Sequence, residues 1–189
     1  RLPQQVAIME RERELELAQK GWRRDLRMWR GWLGGRRGVE AEENFRQIQD
    51  PLAVPGLAEL LASERDSQIR AMFIDILAQL GDTNAVSALS RAAIQDADLE
   101  NRLRAIDHLR KIGRTQAMHS FTQLLSHKDN QVVNRAAVAL GRLGDPEAVL
   151  PLIHALVTRH ETVVQPTANI RPRFGRASNG AGGMNGLSV

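Results

Sequence analysis

Arg135-Ala136-Ala137-Val138-Ala139-Leu140-Gly141-Arg142-Leu143-Gly144-Asp145-Pro146-Glu147-Ala148-Val149-Leu150-Pro151-Leu152-Ile153 holds the end of one helix, a stop and the start of the next. Leu140 and Leu143 close an apolar face, and Gly144 ends the helix because glycine accepts the left-handed backbone of a helix C-terminus. Asp145 then caps the free N–H groups of a new helix, and Pro146 fits its first turn. The same punctuation recurs upstream. Gly81, Gly113 and Gly144 are spaced 32 and 31 apart, preceded by Leu77 and Leu80, Leu109 and Ile112, Leu140 and Leu143. One period earlier Phe45 and Ile48 hold those places, followed by Asp50-Pro51-Leu52-Ala53-Val54.

Each period carries two apolar runs at helical spacing, such as Val54, Leu57, Leu60 and Leu61, then Ile69, Phe73, Ile76, Leu77 and Leu80. The polar links Ala62 to Ser67, Gln95 to Asn101 and Ser126 to Gln131 supply the short turns that antiparallel helix pairs need. No period-2 alternation occurs, so no strand is predicted. A unit with about ten large apolar side chains gains ~1.5–3 kcal/mol from each, against ~1–2 kcal/mol of backbone entropy for every residue. A unit alone cannot stay folded, so neighbours must stack. The spacing predicts an all-α fold, a right-handed solenoid of antiparallel helix pairs over residues 39–160. Residues 1–38 form an N-terminal capping helix with a Gly/Arg loop, and residues 161–189 an irregular or disordered tail.

The run from Arg135 to Ile153 resembles HEAT repeats, in particular the short bacterial HEAT-like repeats first associated with phycobilin lyases, and the resemblance covers roughly residues 45–157. It implies a scaffold or adaptor. HEAT repeats typically carry an Asp in the turn within each pair and an Arg six residues later, forming a ladder between repeats. Asp98 and Arg104, and Asp129 and Arg135, show that spacing, with Glu64 and Arg70 as an acidic variant. Those arginines either bind neighbouring turns or contact a ligand, and Asp66, Asp98 and Asp129 read equally as plain N-caps. The resemblance also implies that the second helices line a concave face. Positions two and six before each glycine should point there: Gln79 and Asp75, Lys111 and Asp107, Arg142 and Val138. Asp75, Gln79, Asp107, Lys111 and Arg142 are the candidate partner contacts.

Charge is distributed unevenly. Residues 1–49 carry 11 Lys or Arg against 8 acids, residues 50–160 carry 12 against 13, and residues 161–189 carry 3 against 1, so the net +4 comes from the ends. A neutral middle argues against a nucleic-acid clamp, which needs clustered basic charge. The chain has no cysteine, which removes disulfides, thiolate zinc sites and thiol nucleophiles. The longest apolar stretch, Leu150 to Val157, is broken by Pro151 and His154 and falls far short of the ~20 residues of a membrane helix. Residue 1 is Arg, so a start upstream is expected and the compartment is not legible.

In the first helix Leu15, Trp22, Leu26, Trp29 and Leu33 share a face, with Trp32 near its edge. Arg23, Arg24, Arg27 and Arg30 lie towards the other side. Such a helix serves either as a cap, with Trp22, Leu26, Trp29 and Leu33 over the open end of the solenoid, or as a surface for anionic membrane or RNA. Gly34-Gly35-Arg36-Arg37-Gly38 lacks the arrangement of a phosphate-binding loop and reads as a linker. In the tail, Arg171-Pro172-Arg173-Phe174-Gly175-Arg176 is a basic patch, and Pro146 to His160 is a first helix without a second.

Chemistry is not visible in the residues. The five histidines never come closer than six residues, whereas a helical metal site needs ligands three or four apart. The iron-binding His-Glu pairs of deoxyhypusine hydroxylase, another protein with HEAT-like repeats, are matched only by His160-Glu161. His108 reads as a half-buried structural histidine. No nucleophile elbow or dinucleotide fingerprint occurs. The expectation is a non-catalytic scaffold without cofactor or metal that binds a protein or peptide, since mixed charge suits such a partner. Nucleic-acid binding through the basic first helix is the alternative, as HEAT-like solenoids also occur in alkylpurine DNA glycosylases. A bilin lyase or chaperone-like role is a third.

Overall fold

The computed structural model describes residues 2–156. The readings of residues 161–189, of the Arg171–Arg176 patch and of His160-Glu161 lie outside the described residues. The chain runs α1 (Leu2–Trp32), α2 (Gly38–Arg46), a 3-10 turn (Pro51–Ala53), α3 (Val54–Ser63), α4 (Ser67–Leu80), α5 (Thr83–Gln95) and α6 (Leu99–Ile112). It continues with α7 (Arg114–Leu124), α8 (Asn130–Leu143), a second 3-10 turn (Pro146–Ala148) and α9 (Val149–Leu156). There is no strand among the described residues.

The all-α solenoid of paired helices read from the spacing is what forms. Helices α3 and α4, α5 and α6, and α7 and α8 pack as pairs. First helices stack in the order α3, α5, α7 and second helices in the order α4, α6, α8. The core runs through the stack without a break and includes Phe73, Leu77, Leu89, Ile106, Leu109, Phe121, Leu140 and Leu143, all fully buried. Every second helix opens on an aspartate: Asp66 accepts from the N–H of Gln68 at 2.8 Å, Asp98 from Glu100 at 2.7 Å and Asp129 from Gln131 at 2.8 Å. Each such cap is worth about 1 kcal/mol.

The glycine punctuation is not uniform. Gly81 and Gly144 are left-handed, with φ of 62° and 66°, but Gly113 has φ of −155°. Gly113 is needed for space instead, because a Cβ there would meet Val86 Cγ1 at 2.6 Å and Cγ2 at 2.8 Å. With that close approach α7 starts at Arg114, without the Asp that opens α5 and the turn before α9. One boundary also shifts from the sequence reading: Pro146 begins a 3-10 turn, and the helix starts at Val149.

Helix α1 has two different halves. Gln4 to Ala18 are exposed along their whole length. From Trp22 onward the helix packs on α2 and α3, with Leu26 fully buried and Trp22, Trp29 and Leu33 against the core. The Leu26 methyl would lie 2.7 Å from a Cβ at Gly56, so α1 and α3 approach closely. An aromatic chain then crosses the pair: Trp22 to Trp29 at 6.2 Å, Trp29 to Phe45 at 5.7 Å and Phe45 to Phe73 at 5.1 Å. Helices α1 and α2 thus act as one more, degenerate pair, joined by a linker in which Arg37 stacks on Trp32 and bonds Glu40.

Candidate partner-binding face

The turns within the helix pairs are tied to one another by arginines. The Arg30 guanidinium donates to both oxygens of the Glu64 carboxylate. Glu64 in turn accepts the backbone N–H of Arg65 and Asp66, at 2.8 and 2.9 Å. Burial alone would push the Glu64 carboxyl up, but the Arg30 hydrogen bond and the two backbone donors outweigh it and hold it below the usual carboxylate range. One repeat on, Arg70 donates through Nε and Nη2 to Asp96, each at 2.9 Å. Its Nη1 meanwhile holds the carbonyls of Glu64 and Arg65.

This ladder differs from the pairs read in the sequence. Glu64 and Arg70 belong to it, but to successive rungs, and the second acid is Asp96 rather than Asp98. Asp98 and Asp129 are caps, Arg104 turns towards α4, and Arg135 donates to the Ile94 carbonyl at 2.8 Å. The signal was present in the spacing: Glu64, Asp96 and His127 are 32 and 31 apart, in step with the glycines. An acid in the first two turns and an imidazole in the third make the register hard to see, and the Asp caps two residues later mask it.

On the exposed side of α4, α6 and α8 the candidate contacts form a second set of cross-repeat bonds. Asp75 accepts from Arg104 at 3.0 Å and lies 2.8 Å from His108 Nε2. Asp107 accepts a bidentate bond from Arg142, 2.8 Å on each side, and that guanidinium holds its carboxyl below the usual range. Gln79 and Lys111 are exposed beside these groups. Asp75, Asp107 and Arg142 keep 46, 46 and 43% of their side chains exposed, so they are reachable from solvent while already paired.

A model of HEAT repeats matches residues 54–138 and 90–169, which is more than half the chain. The chain belongs to the HEAT-repeat family. No curated protein matches the chain. The HEAT matches begin with α3, so α1 and α2 lie outside them.

Between the second helices of the last two complete HEAT repeats lies a cavity of about 320 Å³, lined chiefly by Leu99, Leu103, Ile106 and Val138 with Arg102 and Arg135. Its walls come from α6 and α8 with Ala93 of α5, and Leu99 and Val138 are more than half exposed at its rim. Arg23, Arg24, Arg27 and Arg30 of α1, by contrast, are engaged. Arg23 pairs with Glu59 at 2.9 Å, Arg24 with Asp25 at 3.0 Å, and Arg30 with Glu64. Arg27 donates to the Arg23 carbonyl. Trp22 Nε1 donates to Asp50 at 2.7 Å, fixing the indole at the start of the 3-10 turn that leads into α3. Among the described residues no helix is long and apolar enough to cross a membrane, and no group of three or more His, Asp or Glu could hold a metal ion.

Proposed function

We propose that this HEAT-repeat chain is a non-catalytic scaffold that binds a protein or peptide along the face of α4, α6 and α8, the face that is concave in HEAT solenoids. The observation that carries this is the mixed charge of that face. Asp75 with Arg104 and His108, and Asp107 with Arg142, alternate in sign beside Lys111 and Gln79. A polyanion would meet the Asp75 and Asp107 carboxylates set among the cations there, whereas a folded or extended polypeptide can match both signs. Asp75, Gln79, Asp107, Lys111 and Arg142 are the contacts. The α1 arginines favour this reading over nucleic acid, because Arg23 and Arg30 already face Glu59 and Glu64 and would have to leave them to meet phosphate.

Position-dependent crosslinking tests this. A photoreactive amino acid at Gln79 or Lys111 should trap the same partner in cells of the source organism, and one at Arg91 on α5 or Gln123 on α7 should not. Trapping from α5 and α7 alone would move the working surface to the first helices.

A further inference from the structure

We propose that the slot between α6 and α8 takes an Asp or Glu side chain of a partner peptide on Arg102 and a neighbouring aliphatic side chain between Leu103, Ile106 and Val138. This rests on the scaffold reading and adds the chemistry that the partner must present.

The argument starts from the ladder. Arg70 and Arg102 are 32 residues apart and hold their own turns in the same way. Nη1 of Arg70 donates to the carbonyls of Glu64 and Arg65, and Nη1 of Arg102 to those of Asp96 and Ala97, at 2.8 and 3.1 Å. The remaining edge of Arg70, Nε and Nη2, grips the Asp96 carboxylate of the next repeat. At the corresponding place in the following turn stands His127. Its Nδ1 accepts the Asp129 N–H at 3.0 Å, as Asp96 Oδ1 accepts that of Asp98 at 2.8 Å. The imidazole keeps the turn but offers no carboxylate. Among the described residues no acid pairs with Arg102, so a guanidinium already clamped in position keeps the two donors that fit a carboxylate fork.

A second polar tie is lost at the same junction. Between the first two complete repeats Asn101 Nδ2 donates to the Ser67 carbonyl at 2.9 Å, and both residues lie where the second helices open. One period later the places of Ser67 and Asn101 are taken by Leu99 and Val132. The junction that loses its acid and its amide holds an apolar cavity with Arg102 and Arg135 but no carboxylate in its wall, whereas the cavity at the intact junction, about 270 Å³, has Arg70 and its partner Asp96 together in the wall. Charge complementarity therefore selects the occupant: an apolar side chain alone would leave the fixed guanidinium without its acceptor, and a lone anion would leave the apolar walls wet. The pairing supplied within the chain by Asp96 is supplied between chains here.

The test uses the full chain labelled with nitrogen-15 and two probes, acetyl-Ser-Leu-Asp-Leu-Ser-amide and its Asn counterpart. The Asp peptide should move the amide signals of α6 and α8 around the slot and bind at least about tenfold more tightly than the Asn peptide, as a charged hydrogen bond requires. His127→Asp restores the acid within the chain, so it should raise the melting temperature and bring the Asp peptide down to the affinity of the Asn one. Val138→Glu, at an exposed position, should cause the same loss by repulsion. Equal binding of the two peptides, no binding of either, or full affinity in the His127→Asp variant would each overturn the proposal. So would slot signals that respond to protein concentration alone, which would mean a second copy in the slot. If the peptides fail while crosslinks still form from Gln79 and Lys111, the slot falls and the scaffold reading stands; if the crosslinks fail as well, both fall.

Discussion

Arg70 grips Asp96 across a repeat boundary with only 11 and 3% of the two side chains exposed. Two charges this deeply buried are stable only as a pair, so the bond fixes the register of one helix pair on the next. Arg102 performs the same clamp on its own turn, and no acid among the described residues pairs with it.

That difference sets an unequal cost for equal substitutions. Arg70→Met should destabilise the fold by about 3 kcal/mol, because it strands a buried carboxylate, whereas Arg102→Met loses bonds to neutral carbonyls worth about 1 kcal/mol. Urea unfolding of both variants, with Asp96→Asn to close a double-mutant cycle on the first, measures this. Equal costs, or no coupling between Arg70 and Asp96, would contradict the ladder.

Acid should loosen the N-terminal end through Glu64. Its carboxyl is held below the usual range in the fold, so its contribution is fully present above the unfolded value of about 4.3 and is lost as pH falls from there through the depressed folded value. Glu64→Gln should lower stability at pH 7 and flatten the pH dependence below about 4.3. Thermal melts of both proteins between neutral and acid pH give the comparison, and parallel curves would argue against the Arg30–Glu64 bond.

Trp22 and Trp29 should behave as packed rings. Replacing both with Ala removes the aromatic chain that leads to Phe73 and should cost about 3 kcal/mol or more, a fall of about 6–12 °C in melting temperature for a chain of this size. Their fluorescence should not change on adding anionic vesicles or RNA. A shift on addition would make α1 a binding element.

Gly113 and Gly141 should respond oppositely to alanine. At Gly113 the new Cβ meets Val86 within 2.8 Å, so Gly113→Ala should destabilise by about 1–3 kcal/mol and Val86→Ala should recover part of it. At Gly141 a Cβ meets nothing within 4 Å inside a helix, so alanine should stabilise by about 0.5–1 kcal/mol. Chemical denaturation of the three variants settles the order.

Those glycines also show where the sequence could and could not be read. The 32-residue rhythm and the apolar runs fix helix pairs and their stacking, because burial at helical spacing has only one economical solution. Gly113 carries the rhythm yet serves a steric rather than a left-handed role, a distinction that needs Val86 in space. The ladder lies two residues ahead of Asp98 and Asp129, the more conspicuous acids in the sequence, and the Asp96 carboxylate declares itself only through Arg70. The place of Asp75, Asp107 and Arg142 on their helices is legible from the spacing, but nothing in one dimension shows that Asp75 pairs with Arg104, or Asp107 with Arg142, across repeats.

The central claim is that a polypeptide docks on the mixed-charge face of α4, α6 and α8. It is tested most directly by the affinity of the crosslinked partner at two salt concentrations for two variants. One carries Lys111→Glu with Arg142→Glu, exposed positions outside the core where the fold should survive the change. The other carries Arg24→Gln with Arg27→Gln, two α1 arginines whose hydrogen bonds stay within α1. The account expects the first to lose at least about tenfold in affinity, the second to bind as the parent does, and salt to change either only modestly. Normal binding by the first variant, with a steep salt dependence and failure of the second, would contradict it.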